Sequence, residues 1–326
     1  MKIFITCPNA KVPHGGLRII FEWANRLTQW HDVYLHFLSG NSPGWFPLDD
    51  KVNVVSIDVM AGCDCVILTS PHSALLLDKI LPHQKGFVFL QMREDQFNPT
   101  DQAWQELCRK LYTTHYPVIS ISLWNIHSLQ SDYNRTGITD YVSNGINFEH
   151  FPIKHTPKSG NTVLVEGWEC TNLAKDTDRI GPKVAQRLKA EGYYIAAYGG
   201  VQLKTFTDIP NEYYYRPDLV QINDLYERAT ILIKASRYDA RSCSPVEAMT
   251  KGTVTARAVI DGDDDLLNGF NCVRVGYDVE QLYKAAKRLL NNQTEREMLA
   301  ANAIEYVRES CDWNQIMKTI NEIICQ

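Results

Sequence analysis

Short apolar runs alternate with amphipathic segments along most of the chain. The runs that favour strands are 2–6, 33–38, 52–57, 65–68, 86–90, 118–122, 162–165, 193–198 and 230–234. Helical patterns cover 17–27, 70–81, 182–190, 222–228, 279–290 and 295–324. Because parallel strands need a crossover connection, which is usually a helix, this alternation predicts doubly wound parallel sheets.

The alternation occurs twice within 326 residues. Such a length exceeds what one hydrophobic core usually serves. Histidine, proline, serine and glycine cluster between 147 and 162, so we place the domain boundary at residue 155. The sequence therefore predicts an α/β protein with two Rossmann-like, doubly wound domains, 1–155 and 156–326, that face a central cleft. Whether the last helix packs back on the first domain stays open.

The composition, with 44% hydrophobic and 22% charged residues, is typical of a globular protein. A net charge of −5 gives no bulk attraction to nucleic acid, so no nucleic-acid partner is expected, while peripheral contact with a membrane stays open. The nine cysteines form no C-x-x-C pair, which favours reduced thiols, a cytoplasmic location and no metal site. No apolar run approaches the roughly 18 residues of a membrane span.

Two carboxylates frame the stretch that follows the apolar run 229–233. The polar segment 236–244 is predicted to be a loop, and Pro245 suits the first turn of a helix, with Glu247 in the same turn. A carboxylate is favoured electrostatically at a helix start, which alone would explain Glu247. Asp239 lies eight positions earlier, so the two carboxylates can instead face one crevice at the carboxyl end of a strand, where open α/β sheets bind ligands.

This stretch resembles a signature of the retaining glycosyltransferases of GT-B fold, in particular those of family four, E-G-F-G-x-P-x-x-E-A-M-A-x-G-x-P-V. The matching positions hold Asp239, Pro245, Glu247, Ala248, Met249 and Gly252. The chain departs from the signature at the first acid and at two glycines, which are here Asp239, Ala240 and Ser242. Further on, Asp261-Gly262 stands where the family has a Gly-Gly turn, and Asp265 stands where it has Glu.

The resemblance implies a GT-B fold and a metal-independent hexosyl- or deoxyhexosyltransferase. Such an enzyme moves a sugar, with retention of configuration, from a nucleotide diphosphate sugar to a carbohydrate, lipid-linked or small-molecule acceptor. In this interpretation Glu247 grips the ribose hydroxyls and Asp239 holds hydroxyls of the donor sugar. No cofactor is implied besides the donor substrate itself.

Relatives bind the donor diphosphate with an Arg and a Lys from a G-R, loop, K-G pattern, where cations do the work of a metal. Lys175 fits the lysine position, but Trp168 stands where the arginine would be. Cations that could substitute for that arginine are Arg179, Arg237 and Arg241. The resemblance also implies that the loop around Gly262 to Asp265, with Asp263, meets the diphosphate, together with the helix start at Ser244, where backbone amides favour anions.

Two glycine pairs follow predicted strands. Gly15-Gly16 precedes a helix, where backbone N–H groups can approach a ligand closely, and a tight turn is the plainer explanation. The pair is no G-x-G-x-x-G fingerprint, so a dinucleotide cofactor is not supported. In the resembled family, turns at the places of Gly15-Gly16 and of Gly199-Gly200 approach the donor phosphates, sugar and nucleotide.

The segment 90–97 is polar and comes directly after a predicted strand. Many relatives have a His near here, whereas this chain has Gln91, Arg93, Glu94 and Asp95. The segment is similar to the Q-D-Y-E-x-x-F pattern of certain rhamnosyltransferases of the same family. This similarity makes Gln91 and Glu94 candidates for acceptor contacts, with Glu94 as a catalytic candidate, while a solvated charged turn is the alternative for Arg93 and Asp95.

Two other classes of function stay open. Asp239, Ala240, Ser242 and Trp168 differ from the family signatures, which would suit a catalytically weakened protein that only binds a nucleotide or a sugar. A two-lobed solute-binding protein also joins two α/β halves. The sequence leaves open the base and sugar of the donor, the acceptor and the oligomeric state.

Overall fold

The computed structural model of the protein describes residues 1–11, 13–40, 43–155, 157–168, 173–203 and 210–326. The chain divides into two compact units. The first unit combines Met1–Asn144 with Trp313–Gln326, and the second unit is the continuous segment Gly145–Asp312.

Parallel strands form the sheet of the first unit. Within the described residues they number seven: β1 (Lys2–Cys7), β2 (Asp32–Phe37), β3 (Val52–Val54), β4 (Cys65–Leu68), β5 (Lys85–Leu90), β6 (Val118–Ser120) and β7 (Thr139–Tyr141). Their order in the sheet is β3-β2-β1-β4-β5-β6-β7. Both faces of the central strands are covered, which is why β1, β4 and β5 are almost entirely apolar.

The two faces of this sheet carry different helices. The α-helices of the first unit before residue 145 are α1 (Gly15–Leu27), α2 (Gln102–Tyr112) and α3 (Leu123–Tyr133). On one face Trp23 of α1 stacks on Phe89 of β5, with ring centroids 3.9 Å apart. On the other face Phe4, Val88 and neighbouring strand residues pack with buried side chains of α2 and α3.

The predicted helix 70–81 is a 3-10 helix, Pro71–Lys79, instead of an α-helix. Pro71, Ala74 and Leu77 are buried and recur every third residue. Residues i and i+3 are aligned in a 3-10 helix, because it has three residues per turn. The spacing of the buried side chains thus accounts for the tighter helix. Further 3-10 segments are Ile57–Gly62 and Glu94–Gln96.

The second unit has its own parallel sheet. In its described part the strands number six: β8 (Thr162–Glu166), β9 (Tyr194–Gly199), β10 (Glu212–Tyr215), β11 (Ile231–Asp239), β12 (Val254–Gly262) and β13 (Cys272–Val275), in the order β10-β9-β8-β11-β12-β13. The helices that cover it are α4 (Ile180–Ala190), α5 (Leu219–Arg228), α6 (Cys243–Met249), α7 (Val279–Asn291) and α8 (Gln293–Ser310). Alternate strand residues pack with α4 and α7 on one side and with α5 and α6 on the other, and α8 contributes buried residues to both clusters.

Strand β11 is longer than its apolar run, so the prediction that 236–244 is all loop was wrong. Parallel pairing with β12 continues past the run, with Ser236 opposite Val259 and Asp239 opposite Gly262. Backbone hydrogen bonds to a neighbouring strand do not require apolar side chains, and here they carry the strand to its last residue. Asp239 therefore ends a strand instead of lying within a loop.

The helical pattern 295–324 is two helices instead of one. Helix α8 ends at Ser310, and α9 (Trp313–Cys325) begins after Asp312. Asp312 forms an isolated parallel bridge with Ile146, and the Ile146 N–H donates to the Cys311 carbonyl at 2.9 Å. This backbone contact joins the two ends of the second unit. Helix α9 belongs to the first unit, where Arg26 of α1 lies 5.4 Å from the ring centroid of Trp313.

Candidate functional site

The carboxyl ends of β11 and β12 place the predicted site residues of the second unit at one edge of the sheet. Asp239 and Gly262 are the last residues of these strands and lie opposite each other. Helix α6 begins at Cys243, so Pro245 lies in its first turn as predicted. Glu247 is the fifth residue of α6, and the prediction that it lies in the first turn was wrong. The helix starts two residues before Pro245, with Ser242 as its N-cap residue, so an acid at a helix start does not explain Glu247.

The Asp239 carboxylate is surrounded by hydrogen-bond donors and cationic side chains. Its Oδ2 is 2.9 Å from Lys175 Nζ and accepts a hydrogen bond of 2.7 Å from Ser242 Oγ. Arg257 Nη2 is 3.6 Å from the same oxygen. Burial alone would raise the pKa of the Asp239 carboxyl, but Lys175, Lys234 and Arg257 together hold that pKa well below its ordinary value. Asp239 is therefore a charged hydrogen-bond acceptor at neutral pH.

Gly262 and Asp263 form the turn that closes on Asp239. Gly262 has φ +98°, and a Cβ there would lie 1.8 Å from the Asp239 carbonyl oxygen, so only glycine fits. The Asp263 N–H donates to the same carbonyl at 2.6 Å. The Asp263 carboxylate in turn accepts the Ser242 backbone N–H at 2.7 Å. The predicted loop residues Gly262 and Asp263 are thus in direct contact with Asp239 or its Ser242 partner.

Two cations that the sequence analysis missed lie side by side on the strands. Lys234 of β11 and Arg257 of β12 are register partners, and both are buried. Arg257 binds Asp263, and Lys234 binds Glu166 at the end of β8. Burial would raise the pKa of Glu166, but Lys234 and a hydrogen bond from the Ser244 hydroxyl lower it. Ser244 is therefore already engaged with a carboxylate.

The side chains of Arg241 and Trp168 are buried against other residues of the second unit, which does not suit the binding of a phosphate. The Arg241 guanidinium is buried in an ion pair with Asp265, and its Nη2 contacts Cys311 Sγ at 3.3 Å. Trp168 is 2% exposed and packs in the apolar cluster of α4 and α7. Lys175, whose side chain is 30% exposed, is more accessible than either. Residues 169–172, between Trp168 and Lys175, lie outside the described residues.

The Glu247 side chain is buried and is 6% exposed. Its Oε2 accepts a hydrogen bond of 3.2 Å from the Tyr226 hydroxyl. The Tyr226 hydroxyl is also 3.0 Å from that of Tyr198, on β9. These hydrogen bonds connect Glu247 to tyrosines of α5 and β9.

Gly199 ends β9 beside the edge strand β10. A Cβ at Gly199 would lie 2.8 Å from the Tyr213 hydroxyl, whereas one at Gly200 would meet no atom of the described residues within 4 Å. The Gly199 carbonyl accepts the backbone N–H of Arg216 at 2.9 Å. Strand β9 thus ends at Gly199, and the approach of Gly199-Gly200 to a nucleotide stays a prediction.

In the first unit, the glycine pair is helical. Gly15 and Gly16 are the first two residues of α1, and the His14 side chain caps this helix by accepting the Leu17 N–H at 3.3 Å. The tight turn offered as the plainer explanation was wrong, because both residues have helical backbone. Gln91 Nε2 donates to the Gly16 carbonyl at 3.0 Å, which joins the end of β5 to this helix start.

Glu94 lies in a fixed backbone segment after β5. Its N–H donates to the Tyr112 hydroxyl at 2.8 Å, and its carbonyl accepts the Trp104 indole N–H at 2.7 Å. Burial, and then the neighbouring Asp95, raise the pKa of the half-buried Glu94 carboxyl to about 8. Arg93 and Asp95 form a buried bidentate ion pair, so the solvated charged turn considered for them was wrong.

Among the described residues, no group of three or more His, Cys, Asp or Glu side chains is arranged to hold a metal ion. Within the same part of the chain, each helix is too short or too polar to cross a membrane. The roles assigned from the sequence to Asp239, Glu247, Glu94 and the phosphate-side residues stay predictions.

The structure is similar to solved glycosyltransferases. Sucrose-phosphate synthase from Thermosynechococcus elongatus superposes with a TM-score of 0.81 at 13% identity, over 99% of this chain and 98% of that one. HepE of Anabaena, in complex with UDP, gives 0.76 at 12% identity over 100% of both chains. WaaG, a glycosyltransferase involved in lipopolysaccharide biosynthesis, gives 0.73 at 14% identity over 99% of both chains.

No protein-family model matches the chain, and no curated protein matches its sequence. At identities of 12% to 14%, the structural likeness establishes the fold. The protein has a GT-B fold with two Rossmann-like α/β units, which confirms the fold class expected from the alternation and from the resemblance.

Proposed function

We propose that the protein is a glycosyltransferase that uses a nucleotide diphosphate sugar as donor. The observation that carries the proposal is the Lys175–Asp239 ion pair beside the Gly262–Asp263 turn, at the carboxyl edge of the second sheet. Ligands of open α/β sheets bind outside the carboxyl ends of the strands. The HepE structure in complex with UDP, together with one in complex with UDP-glucose, supports this class of donor.

In this proposal Asp239 accepts hydrogen bonds from hydroxyls of the donor sugar. Its carboxylate stays ionised because three cations lower its pKa, and Ser242 fixes one of its oxygens. A charged acceptor in a buried, water-poor place makes stronger hydrogen bonds than a neutral one. The shorter side chain of Asp, compared with the Glu of the resembled family, places this acceptor closer to the strand end.

Lys175 is the proposed contact for the departing diphosphate. Its ammonium is partly exposed, so it can reach a phosphate while it remains close to Asp239. Arg241 is less suited, because its guanidinium is committed to Asp265. We therefore assign the positive charge to Lys175 and to the backbone N–H groups at the start of α6, with retention of configuration and without a metal.

A protein that binds the nucleotide without transferring the sugar is the second candidate. The observation that favours it is the placement of Trp168 in the apolar core, where the resembled family has a phosphate-binding arginine. The two candidates differ in turnover and agree in nucleotide binding. Product analysis therefore separates them.

The first experiment measures thermal unfolding with UDP, GDP, ADP, CMP and dTDP and with their sugars. A ligand at about 100 times its Kd adds about 2.7 kcal/mol to the stability of the state that binds it, a shift that is readily detected. We expect one nucleotide to stabilise the wild type and to stabilise Glu247→Ala far less. If no nucleotide stabilises the wild type, the donor site is wrong and the solute-binding class moves ahead.

Turnover tests the roles of the two residues. Loss of a transition-state electrostatic contact typically costs roughly 3 to 4 kcal/mol of barrier. Glu247→Ala and Lys175→Ala should therefore lower the release of nucleoside diphosphate by about two to three orders of magnitude. Exposed control variants on α7 are Glu280→Ala and Lys284→Ala, which should keep the wild-type rate. Wild-type turnover in both site variants would contradict the assignment, and the anomeric configuration of the product, by NMR, tests retention.

A further inference from the structure

Two buried tyrosine hydroxyls form successive hydrogen bonds that end at Glu247. The Tyr226 hydroxyl is 3.2 Å from Glu247 Oε2, and the Tyr198 hydroxyl is 3.0 Å from that of Tyr226. Tyr198, Tyr226 and Glu247 are 7%, 1% and 6% exposed. They come from β9, α5 and α6, so three separate elements bring the three side chains together.

The direction of these two hydrogen bonds follows from the charge of Glu247. A tyrosine hydroxyl has one proton to donate, and an ionised carboxylate only accepts. With Glu247 ionised, Tyr226 uses its single proton to donate to Glu247, so the proton between the two tyrosine oxygens comes from Tyr198. Burial, followed by the proximity of Tyr226 and Glu166, raises the pKa of Tyr198 well above its ordinary value, so its proton stays in place.

The backbone of Tyr226 is also fixed. Its carbonyl accepts a hydrogen bond of 2.6 Å from Thr253 Oγ1 and one of 3.4 Å from Lys158 Nζ. Its ring packs against Phe151, with centroids 6.1 Å apart, inside the apolar cluster between the sheet and α6. A donor held at both its backbone and its ring can fix the rotamer of the carboxylate that it contacts.

We infer that Tyr226, supported by Tyr198, is a positioning residue that orients Glu247 as an ionised acceptor for the hydroxyls of a ribose. This inference rests on the proposed function, in which Glu247 grips the ribose of the donor. The Tyr226 hydroxyl occupies Oε2 and stabilises the negative charge of the buried carboxylate. The preference of the site for nucleotides with ribose hydroxyls then depends on both tyrosine hydroxyls, although neither needs to touch the ligand.

The test measures, by calorimetry, the Kd of UDP, GDP, ADP and dTDP and of their 2′,3′-dideoxy counterparts. The variants are Tyr226→Phe and Tyr198→Phe, which remove one hydroxyl and keep the ring. Tyr283→Phe is the matched control, because the Tyr283 hydroxyl also donates to a carboxylate, that of Glu191, at 2.5 Å on the surface between α7 and α4. The readout is the ratio of the two Kd values for the nucleotide that binds.

A hydrogen bond to a charged group changes binding affinity about 10- to 100-fold. The wild type and Tyr283→Phe should therefore bind the dideoxy compound more weakly than the nucleotide by about that factor. Tyr226→Phe should lower this ratio by about threefold or more, and Tyr198→Phe should lower it less. A purely structural role would weaken both ligands equally and leave the ratio unchanged. An unchanged ratio in both variants, or no preference in the wild type, overturns the inference while nucleotide binding itself supports the proposed function. If the wild type binds no nucleotide, both fail.

Discussion

Replacement of Gly262 by alanine tests the closest backbone contact of the candidate site. The added Cβ would lie 1.8 Å from the Asp239 carbonyl oxygen. The φ of Gly262 is +98°, a value that residues with a Cβ rarely adopt. No rotamer change can relieve this clash, because both partners are backbone. The ends of β11 and β12 must therefore move apart.

The contacts that are lost set the size of the effect. Backbone strain at this φ costs about 1 to 3 kcal/mol. Separation of the strand ends also breaks the hydrogen bond from the Asp263 N–H to the Asp239 carbonyl, and loosens the charged contact between Ser242 and Asp263. A neutral hydrogen bond contributes about 1 kcal/mol and a charged one about 1.5 to 3 kcal/mol. We expect a total loss of about 3 to 7 kcal/mol.

Calorimetric unfolding of Gly262→Ala measures this loss as a shift in Tm. Each kcal/mol lowers the Tm of a unit of this size by about 2 to 4 °C, so the transition of the second unit should fall by at least about 6 °C. Gly269→Ala is the control, because Gly269 also has a positive φ, +76°, but a Cβ there meets no atom within 4 Å in the part of the chain that the structure describes. The control bears only the conformational cost of about 1 to 2 kcal/mol. Equal shifts in the two variants would refute the close approach of Gly262 to Asp239.

Two further predictions concern pH. The pKa of Asp239 is lowered in the folded protein, so its contribution to stability is present above the ordinary pKa of about 3.9 and is lost as the pH falls toward the folded pKa. The Tm advantage of the wild type over Asp239→Asn should therefore begin to shrink below about pH 4, and a constant difference from pH 7 to 3 would contradict this assignment. The pKa of Glu94 is instead raised to about 8, so its contribution is present below about pH 4.3 and is lost as the pH rises through 8. The Tm of Glu94→Gln should therefore rise relative to that of the wild type between pH 5 and 9. The control is Glu106→Gln, an exposed position on α2, whose Tm should not rise in this way. Parallel plots of Tm against pH for Glu94→Gln and the wild type would exclude the raised pKa.

The predicted strands agree best with the structure where both faces of the sheet are buried. Strands β1, β4, β5 and β8 begin and end within two residues of the predicted runs, because continuous apolar sequence marks a covered strand. Strands β10, β12 and β13 were missed. The edge strand β10 has no buried residue, whereas β12 is buried from Val254 to Val259 but has no continuous apolar run, because Thr255 and Arg257 interrupt it. Helix α2 was missed as well, although Trp104, Leu107, Cys108 and Leu111 have helical spacing.

The candidate site was predicted in part. The prediction that Asp239 lies at the carboxyl end of a strand agrees with the structure, where Asp239 is the last residue of β11. The roles of Asp239 and Glu247 stay predictions. Lys234 and Arg257 could not be found in this way. Each interrupts an apolar strand, and their partners Glu166 and Asp263 are specified only by the register of β8, β11 and β12. These contacts join residues of strands that are far apart in the sequence, so no short motif shows which side chains will lie side by side.

The contact between Ile146 and residues Cys311 and Asp312 bears on the order in which the two units fold during synthesis. The second unit is a continuous segment with its two ends joined, so all of its core has been synthesised once residue 312 has emerged from the ribosome. The first unit at that moment still lacks α9, which packs against α1. Domains generally fold as units during synthesis. The unit whose sequence begins first is therefore the one that finishes folding last.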